Sequence, residues 1–209
     1  MSTYSSQVNS LHYAMGSYRS PDKWSSYWHQ LDLVRRYSSK KILETGVGEG
    51  VVARELKNEG RAVTTFDIAE DLHPDVVGSV TDMLQIKEKS YDLVLAAEIL
   101  EHICFEDVQE AFFQIARVVE NYVVVSVPHP GYVFLLEFKV PLIRKVTLFI
   151  KLPFFWKRHQ FDGQHYWELG KKGYSVQSFI KTAKNAGLVF KSSHCYADDP
   201  ARRYFIFSV

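Results

Sequence analysis

The chain has 209 residues, of which 46% are hydrophobic and 23% charged, with a formal net charge of +1. This length suits one domain with a buried core, spanning residues 1–209. The near-neutral charge excludes the global basic field expected of a nucleic-acid binder, and two cysteines, Cys104 and Cys195, exclude a disulfide framework and point to a reducing cytoplasm.

No basic stretch followed by an apolar core opens the chain, so no signal peptide is expected. No uncharged apolar run reaches the roughly 18 residues of a spanning helix. The first 20 residues are rich in Ser and Tyr and form part of a helical lead-in over 1–38. Within it, "SPDKWSSYWHQLDLVRRYSS" predicts a helix with Ser20 as N-cap and Pro21 as first helical residue. Trp24, Tyr27, Trp28, Leu31 and Val34 recur along it at helical spacing.

"KKILETG" predicts a strand ending at Gly46, and "GVVARELKNEG" a helix from about Gly50 to Asn58, stopped by Gly60. "AVTTFD" is a second strand ending at Asp67, "DVVGSV" a weaker third, and "YDLVLAAE" a buried fourth ending at Glu98. "FEDVQEAFFQIARVV" is an amphipathic helix, and "NYVVVSVPHP" a fifth strand with Pro128 and Pro130 at its exit. After a long insertion, "SVQSFIKTAKNAG" is a helix, followed by the strands "LVFKSSHCY" and "RRYFIFSV" with "ADDPA" as the turn between them. The alternation predicts an α/β fold, a mostly parallel sheet with helices on both faces, closed by an antiparallel hairpin.

The chemistry concentrates in "ETGVGEG". Strand, glycine-rich turn and helix start are where an open parallel sheet binds a nucleotide-like ligand. Glycine lets the backbone approach the ligand and take positive φ. Asp67, at the end of the next strand, is placed to accept hydrogen bonds from ribose hydroxyls. Glu44 suits an amine or ammonium, where a phosphate loop would avoid negative charge. The spacing Gly-x-Gly-x-Gly argues against a dinucleotide oxidoreductase, and no Lys-Ser/Thr pair follows to make a P-loop. A Rossmann-like binding module without catalysis is the alternative.

From these motifs the chain resembles the class I S-adenosylmethionine-dependent methyltransferases over roughly residues 20–209. The resemblance implies a Rossmann-like seven-stranded sheet with an antiparallel C-terminal strand. It also implies S-adenosyl-L-methionine as cofactor. It assigns Glu44, Gly46, Gly48 and Gly50 to the methionine part, Asp67 to the ribose, and Asp82 with Met83 to the adenine. The short stretch from Asp67 to Asp82 implies a loop around "EDLHP" where the family has a helix. The fourth-strand motif places Glu98 at the cofactor cleft.

"EILEHI" supplies Glu98, Glu101 and His102 in an E-x-x-E-H pattern. It is similar to that of small-RNA 2′-O-methyltransferases and ubiquinone-pathway O-methyltransferases, where it holds a metal. "FDGQHYWEL" offers His165 in a context resembling the His-x-Phe-Glu-Trp stretch of the RNA enzymes. Glu98, Glu101, His102 and His165 are thus candidate ligands for Mg²⁺ or Mn²⁺. The metal-free alternative makes His102, Glu101 and His165 catalytic, with a histidine as general base for a hydroxyl acceptor and His129 ranked behind the other two.

The insertion over about 131–170 is aromatic and basic. From Phe138 to Phe161 it holds Lys139, Arg144, Lys145, Lys151, Lys157 and Arg158 and no acid. Three readings compete: a lid whose apolar face packs on the domain, a surface for an anionic membrane, and a grip on a phosphorylated or nucleic-acid acceptor. The absence of an RNA-binding module weakens the last. The packed lid is the preferred of the three, and the reading that follows is methylation, at oxygen, of a small-molecule or lipid-linked acceptor by a cytoplasmic enzyme, with peripheral membrane contact through 138–161 as the alternative role of the insertion. Tyr13, Tyr18, Trp24, Tyr27 and Trp28 are expected either to wall the acceptor pocket or to anchor the first helix.

Overall fold

The computed structural model describes residues 4, 7, 20–37, 40–139 and 145–209. Tyr13, Tyr18 and Arg144 lie outside them. Helix α1, Pro21–Arg36, starts as its sequence requires: the Ser20 side chain accepts from Lys23 N, and Pro21 fills the first position. Strand β1, Lys41–Thr45, leads through the glycine turn to α2, Val51–Asn58. Then come β2, Ala62–Asp67, a two-residue β3, Val76–Val77, and β4, Tyr91–Ala97. Helix α3, Val108–Val118, feeds directly into β5, Val119–Pro128. Strands β6, Gly131–Phe138, and β7, Val146–Pro153, precede α4, Val176–Asn185, and the closing pair β8, Val189–Tyr196, and β9, Asp199–Ser208.

Seven strands form one sheet in the order β3-β2-β1-β4-β5-β9-β8. The first five run parallel, and β9 pairs antiparallel with both β5 and β8. Side-chain alternation divides the core into two layers. Tyr204 and Ile206 of β9 face the layer with Leu31, Val34 and Leu56 from α1 and α2. Phe205 and Phe207 face the layer with Phe112 and Phe179 from α3 and α4. Helices therefore cover both faces of the sheet.

Two expectations need correction. The hairpin turn is not "ADDPA": Tyr196 pairs with Asp199, so Asp199 and Pro200 already belong to β9. Asp199 is held there by Arg202 Nη1 at 2.7 Å and Tyr204 Oη at 2.5 Å, which outweighs the turn preference of its type. The insertion packs down on the domain only in its last part, through the buried Trp167 and Leu169. Its first part is a separate two-stranded antiparallel ribbon of β6 and β7 with most of its apolar side chains exposed.

Candidate active site

Sheet order reverses between β1 and β4, and a cavity opens there at the carboxyl ends of the strands. Gly46, Asp67 and Glu98, at the ends of β1, β2 and β4, all line it. Gly46 is tied to the second strand by its N–H to Phe66 O at 2.9 Å and takes φ +80°. A Cβ there would sit 2.9 Å from Ile99 Cγ2. Gly48 lines the cavity; Gly50 stands behind it as the left-handed N-cap of α2.

Glu44 forms the floor. It is 4% exposed, and its Oε2 has no hydrogen-bond partner among the described residues. Burial pushes its carboxyl up to about 8, against the pull of the Ala53 N–H. Asp67 is pinned: Oδ2 accepts from Val47 N at 2.7 Å and Oδ1 from Ala69 N at 2.8 Å. Each oxygen keeps a lone pair for a ligand hydroxyl. Burial raises its pKa, and backbone donors oppose the rise.

Asp82 and Met83 are not among the lining residues; Gly78, Ser79 and Val80 take that wall. Met83 is fully buried in the core, and its carbonyl accepts from Arg117 Nη2 at 2.6 Å. The cause is the brevity of β3: the chain turns back at once, bridging Ser79 to Asp82. The expected loop around "EDLHP" is a single 3₁₀ turn, Glu70–Leu72.

Glu98 takes φ +56°, a strained backbone for a side-chain-bearing residue. Its oxygens are engaged, Oε1 by Ser126 Oγ at 3.1 Å and Oε2 by Arg202 Nε at 3.0 Å. A 3₁₀ turn, Leu100–His102, then buries Glu101 completely, and neither carboxylate oxygen has a partner among the described residues. Burial, then the Glu98 charge, raises its pKa far above the carboxylate range.

His102 lines the cavity. Its Nδ1 lies 2.8 Å from Gln7 Oε1 and 3.1 Å from the Gln164 carbonyl, two acceptors, so Nδ1 carries the proton and Nε2 is bare. Gln7 Nε2 donates in turn to the His102 carbonyl at 3.2 Å. Burial, then His165, pushes the His102 pKa down to about 4.

His165 does not line the cavity but stands behind His102, ring centroids 5.2 Å apart. Its Nδ1 is 3.4 Å from Glu168 Oε1, and that contact, more than the Lys171 ion pair, lowers the Glu168 pKa to about 2. Neighbouring residues bring this loop home. Tyr166 N donates to Glu101 O at 2.8 Å, and the fully buried Trp167 donates from Nε1 to Leu100 O and Ile103 O, both at 3.2 Å. Sequence reasoning missed this clamp, although a tryptophan two residues past a candidate histidine was the visible signal. Ligating atoms of Glu101, His102 and His165 all lie within 4.8 Å of one another; Glu98 is not in that group. His129 lies away from the cavity, 1% exposed beside Cys195 Sγ at 3.4 Å.

Of the first-helix aromatics, only Tyr27 lines the cavity, bonded to Glu49 at 3.0 Å; Trp24 and Trp28 are exposed. Lys23 and Gln30, on the same helix, complete that wall and were not foreseen.

The family described as "Methyltransferase domain" matches residues 43–125, from β1 through β5. A ubiquinone biosynthesis O-methyltransferase of Hydrogenovibrio crunogenus is 32% identical over a stretch covering 35% of this chain and 38% of that relative. The chain thus spans well under half the length of this curated relative. Among solved structures, an S-adenosylmethionine-dependent methyltransferase from Mesorhizobium loti superposes with a TM-score of 0.58 at 14% identity, covering 88% of this chain and 98% of that one. A 1,6-didemethyltoxoflavin-N1-methyltransferase of Burkholderia thailandensis, solved with S-adenosylhomocysteine, gives 0.55 at 12% identity, covering 90% of each chain. These likenesses show the fold.

Proposed function

We propose that this chain, which carries a methyltransferase-domain match over residues 43–125 and the fold of S-adenosylmethionine-dependent methyltransferases, is a class I enzyme of that kind, whose cavity binds S-adenosylmethionine and serves methyl transfer to oxygen of a small or lipid-linked acceptor. The observation that carries this reading is Glu44, a buried carboxylate with an unpartnered oxygen beneath a glycine turn. An ammonium group is the partner such an oxygen lacks. The backbone of Gly46 and Gly48 gives a ligand close approach, and the free lone pairs of Asp67 suit vicinal ribose hydroxyls. Ser79 and Val80 stand where Asp82 and Met83 were expected to flank the adenine.

When bound, the cofactor supplies a methyl group already activated by its sulfonium. The protein's work is then positioning and proton removal. His102, neutral and with Nε2 bare, accepts the proton of an acceptor hydroxyl. The need for a base is what favours oxygen, and the O-methyltransferase named above agrees with it. Gln7 and the Gln164 carbonyl hold the imidazole at Nδ1, the His165 ring packs against it, and Glu101 sits beside it as a buried carboxyl.

A second reading is metal-assisted transfer, as in RNA 2′-O-methylation, and one observation favours it. Glu101 offers two unpartnered oxygens beside His102 and His165. These three residues would hold Mg²⁺ or Mn²⁺, which would lower the pKa of an acceptor hydroxyl. Glu98, engaged by Arg202, is not free to join them.

The test is a calorimetric titration with S-adenosylhomocysteine in chelator-treated buffer, repeated with added Mn²⁺. Micromolar binding supports the cofactor assignment, and no binding overturns it. A heat of Mn²⁺ binding that disappears in Glu101→Gln supports the metal reading; its absence removes it.

A further inference from the structure

The β6–β7 ribbon has one wholly apolar face. Cross-strand pairs Tyr132 with Leu152, Phe134 with Ile150, Leu136 with Leu148 and Phe138 with Val146 alternate onto it, and all eight residues are exposed. The opposite face is mixed, with Val133, Leu135 and Phe149 beside the ribbon's polar side chains Glu137, Thr147 and Lys151. There Lys145 Nζ meets Glu137 at 2.6 Å, and Lys151 reaches the Pro200 carbonyl and so turns this face towards the domain. The apolar face consequently points away from the domain; at its base Tyr132 packs against Phe154 and Trp156, and all eight of its residues stay exposed. Such a contiguous patch marks an interaction surface.

We propose that this ribbon docks the protein on an anionic lipid bilayer. Charge complementarity selects the occupant: Phe138–Phe161 contains six Lys/Arg and no acid in a chain whose net charge is only +1. Lys139 flanks the far end of the ribbon and Lys157 and Arg158 its base, all exposed, while Lys145 is paired with Glu137. Phe155 and Trp156, also exposed, sit beside the basal cations, in the aromatic-and-basic combination that suits the headgroup level. A protein partner is the poorer fit, because lysine is depleted at protein interfaces, whereas aromatic and basic side chains together suit the headgroup level.

Depth follows from backbone chemistry. A two-stranded ribbon leaves the outer N–H and C=O groups of both strands unpaired, so it cannot enter the hydrocarbon end-on. It lies flat, its apolar face against the acyl chains and its edges and lysines among the headgroups. Strand β6 starts just beyond β5, at the carboxyl edge of the sheet where the cavity opens, so docking brings the cavity's edge near the bilayer. The proposal does not depend on the methyl-transfer reading, since docking requires no cofactor.

Flotation of the full chain tests it, using vesicles of phosphatidylcholine alone and of phosphatidylcholine mixed with phosphatidylglycerol. Co-flotation with the mixed vesicles, weakened by salt, is expected. Phe134→Glu with Ile150→Glu, a cross-strand pair, should reduce partitioning more than about tenfold, while circular dichroism and S-adenosylhomocysteine binding stay as in the parent. Lys157→Glu with Arg158→Glu, which spares the apolar face, should abolish the preference for anionic vesicles. Failure of the parent chain to float with either vesicle overturns the proposal. So does flotation indifferent to both double variants, or a dimer in analytical ultracentrifugation that the Phe134/Ile150 variant dissociates, which would make a second copy the occupant.

Discussion

Arg202 holds Glu98 across the sheet, Nε to Oε2 at 3.0 Å, and at the same time holds Asp199 through Nη1 at 2.7 Å. One guanidinium thus neutralises a carboxylate at the cavity and another that is fully buried. Arg202→Ala leaves both without their cation. Breaking a buried pair this way costs about 3–5 kcal/mol. Urea denaturation should show a loss of that size; a loss below about 1 kcal/mol would mean the pairs are solvated and weak.

Glycine is required at the first position of the turn more than at the third. Gly46 and Gly50 both take positive φ, but a Cβ at Gly46 meets Ile99 at 2.9 Å while one at Gly50 finds its nearest atom, Val47 Cγ1, at 3.9 Å. Gly50→Ala should cost only the backbone term, about 1 kcal/mol. Gly46→Ala adds a clash and should cost measurably more, with loss of S-adenosylhomocysteine binding. Thermal melts and calorimetry on the pair compare them directly; equal effects would refute the steric distinction.

The glycine turn, the carboxylates at the strand ends and the first helix were legible because each is local. A cap, a turn and a strand end need only their neighbours in sequence. Asp82 and Met83 were misplaced because their position depends on the length of β3, which is only two residues. The fate of Glu98 depended on Arg202, 104 residues away, and no spacing rule reaches that far. The Trp167 clamp left a visible tryptophan beside His165, but its partners, the Leu100 and Ile103 carbonyls, lie 67 and 64 residues away. The β6–β7 ribbon escaped notice because its second face is also largely apolar, with Val133, Leu135 and Phe149. The alternation that marks a half-buried strand is therefore blurred.

Asp67 should contribute to cofactor affinity through hydrogen bonds to a charged acceptor. Asp67→Asn keeps its shape but makes one oxygen a donor group. Weakening of S-adenosylhomocysteine binding by about 1.5–3 kcal/mol is expected. Unchanged affinity by calorimetry would refute the ribose assignment.

If Glu44 receives the cofactor's ammonium as proposed, binding should be proton-linked. The Glu44 carboxyl, pushed up to about 8 by burial, is protonated at neutral pH without ligand. Receiving an ammonium requires the charged form, so binding should release a proton and tighten as pH rises from 6 towards 8. Calorimetry in two buffers of different ionisation enthalpy measures that proton. Glu44→Gln should bind more weakly and release none; an unchanged proton count in this variant would move the linkage to another group.

His102 gives the sharpest acid-side signature. Its folded pKa is pushed down to about 4, while an unfolded histidine titrates near 6.5. Between those values the unfolded chain binds the extra proton, so this residue's contribution to stability is present above pH 6.5 and lost as pH falls towards 4. The same neutrality keeps Nε2 free to accept a proton throughout the physiological range. A long-range ¹H–¹⁵N spectrum should therefore show His102 as the Nδ1–H tautomer, unchanged from pH 8 to pH 5, with its Nε2 titrating below 5. Gln7→Ala removes one of the two acceptors at Nδ1 and leaves the Gln164 carbonyl, so the tautomer should persist but with more Nε2–H exchange. An Nε2–H tautomer in the parent chain, or titration near 6.5, would remove His102 from the role of base.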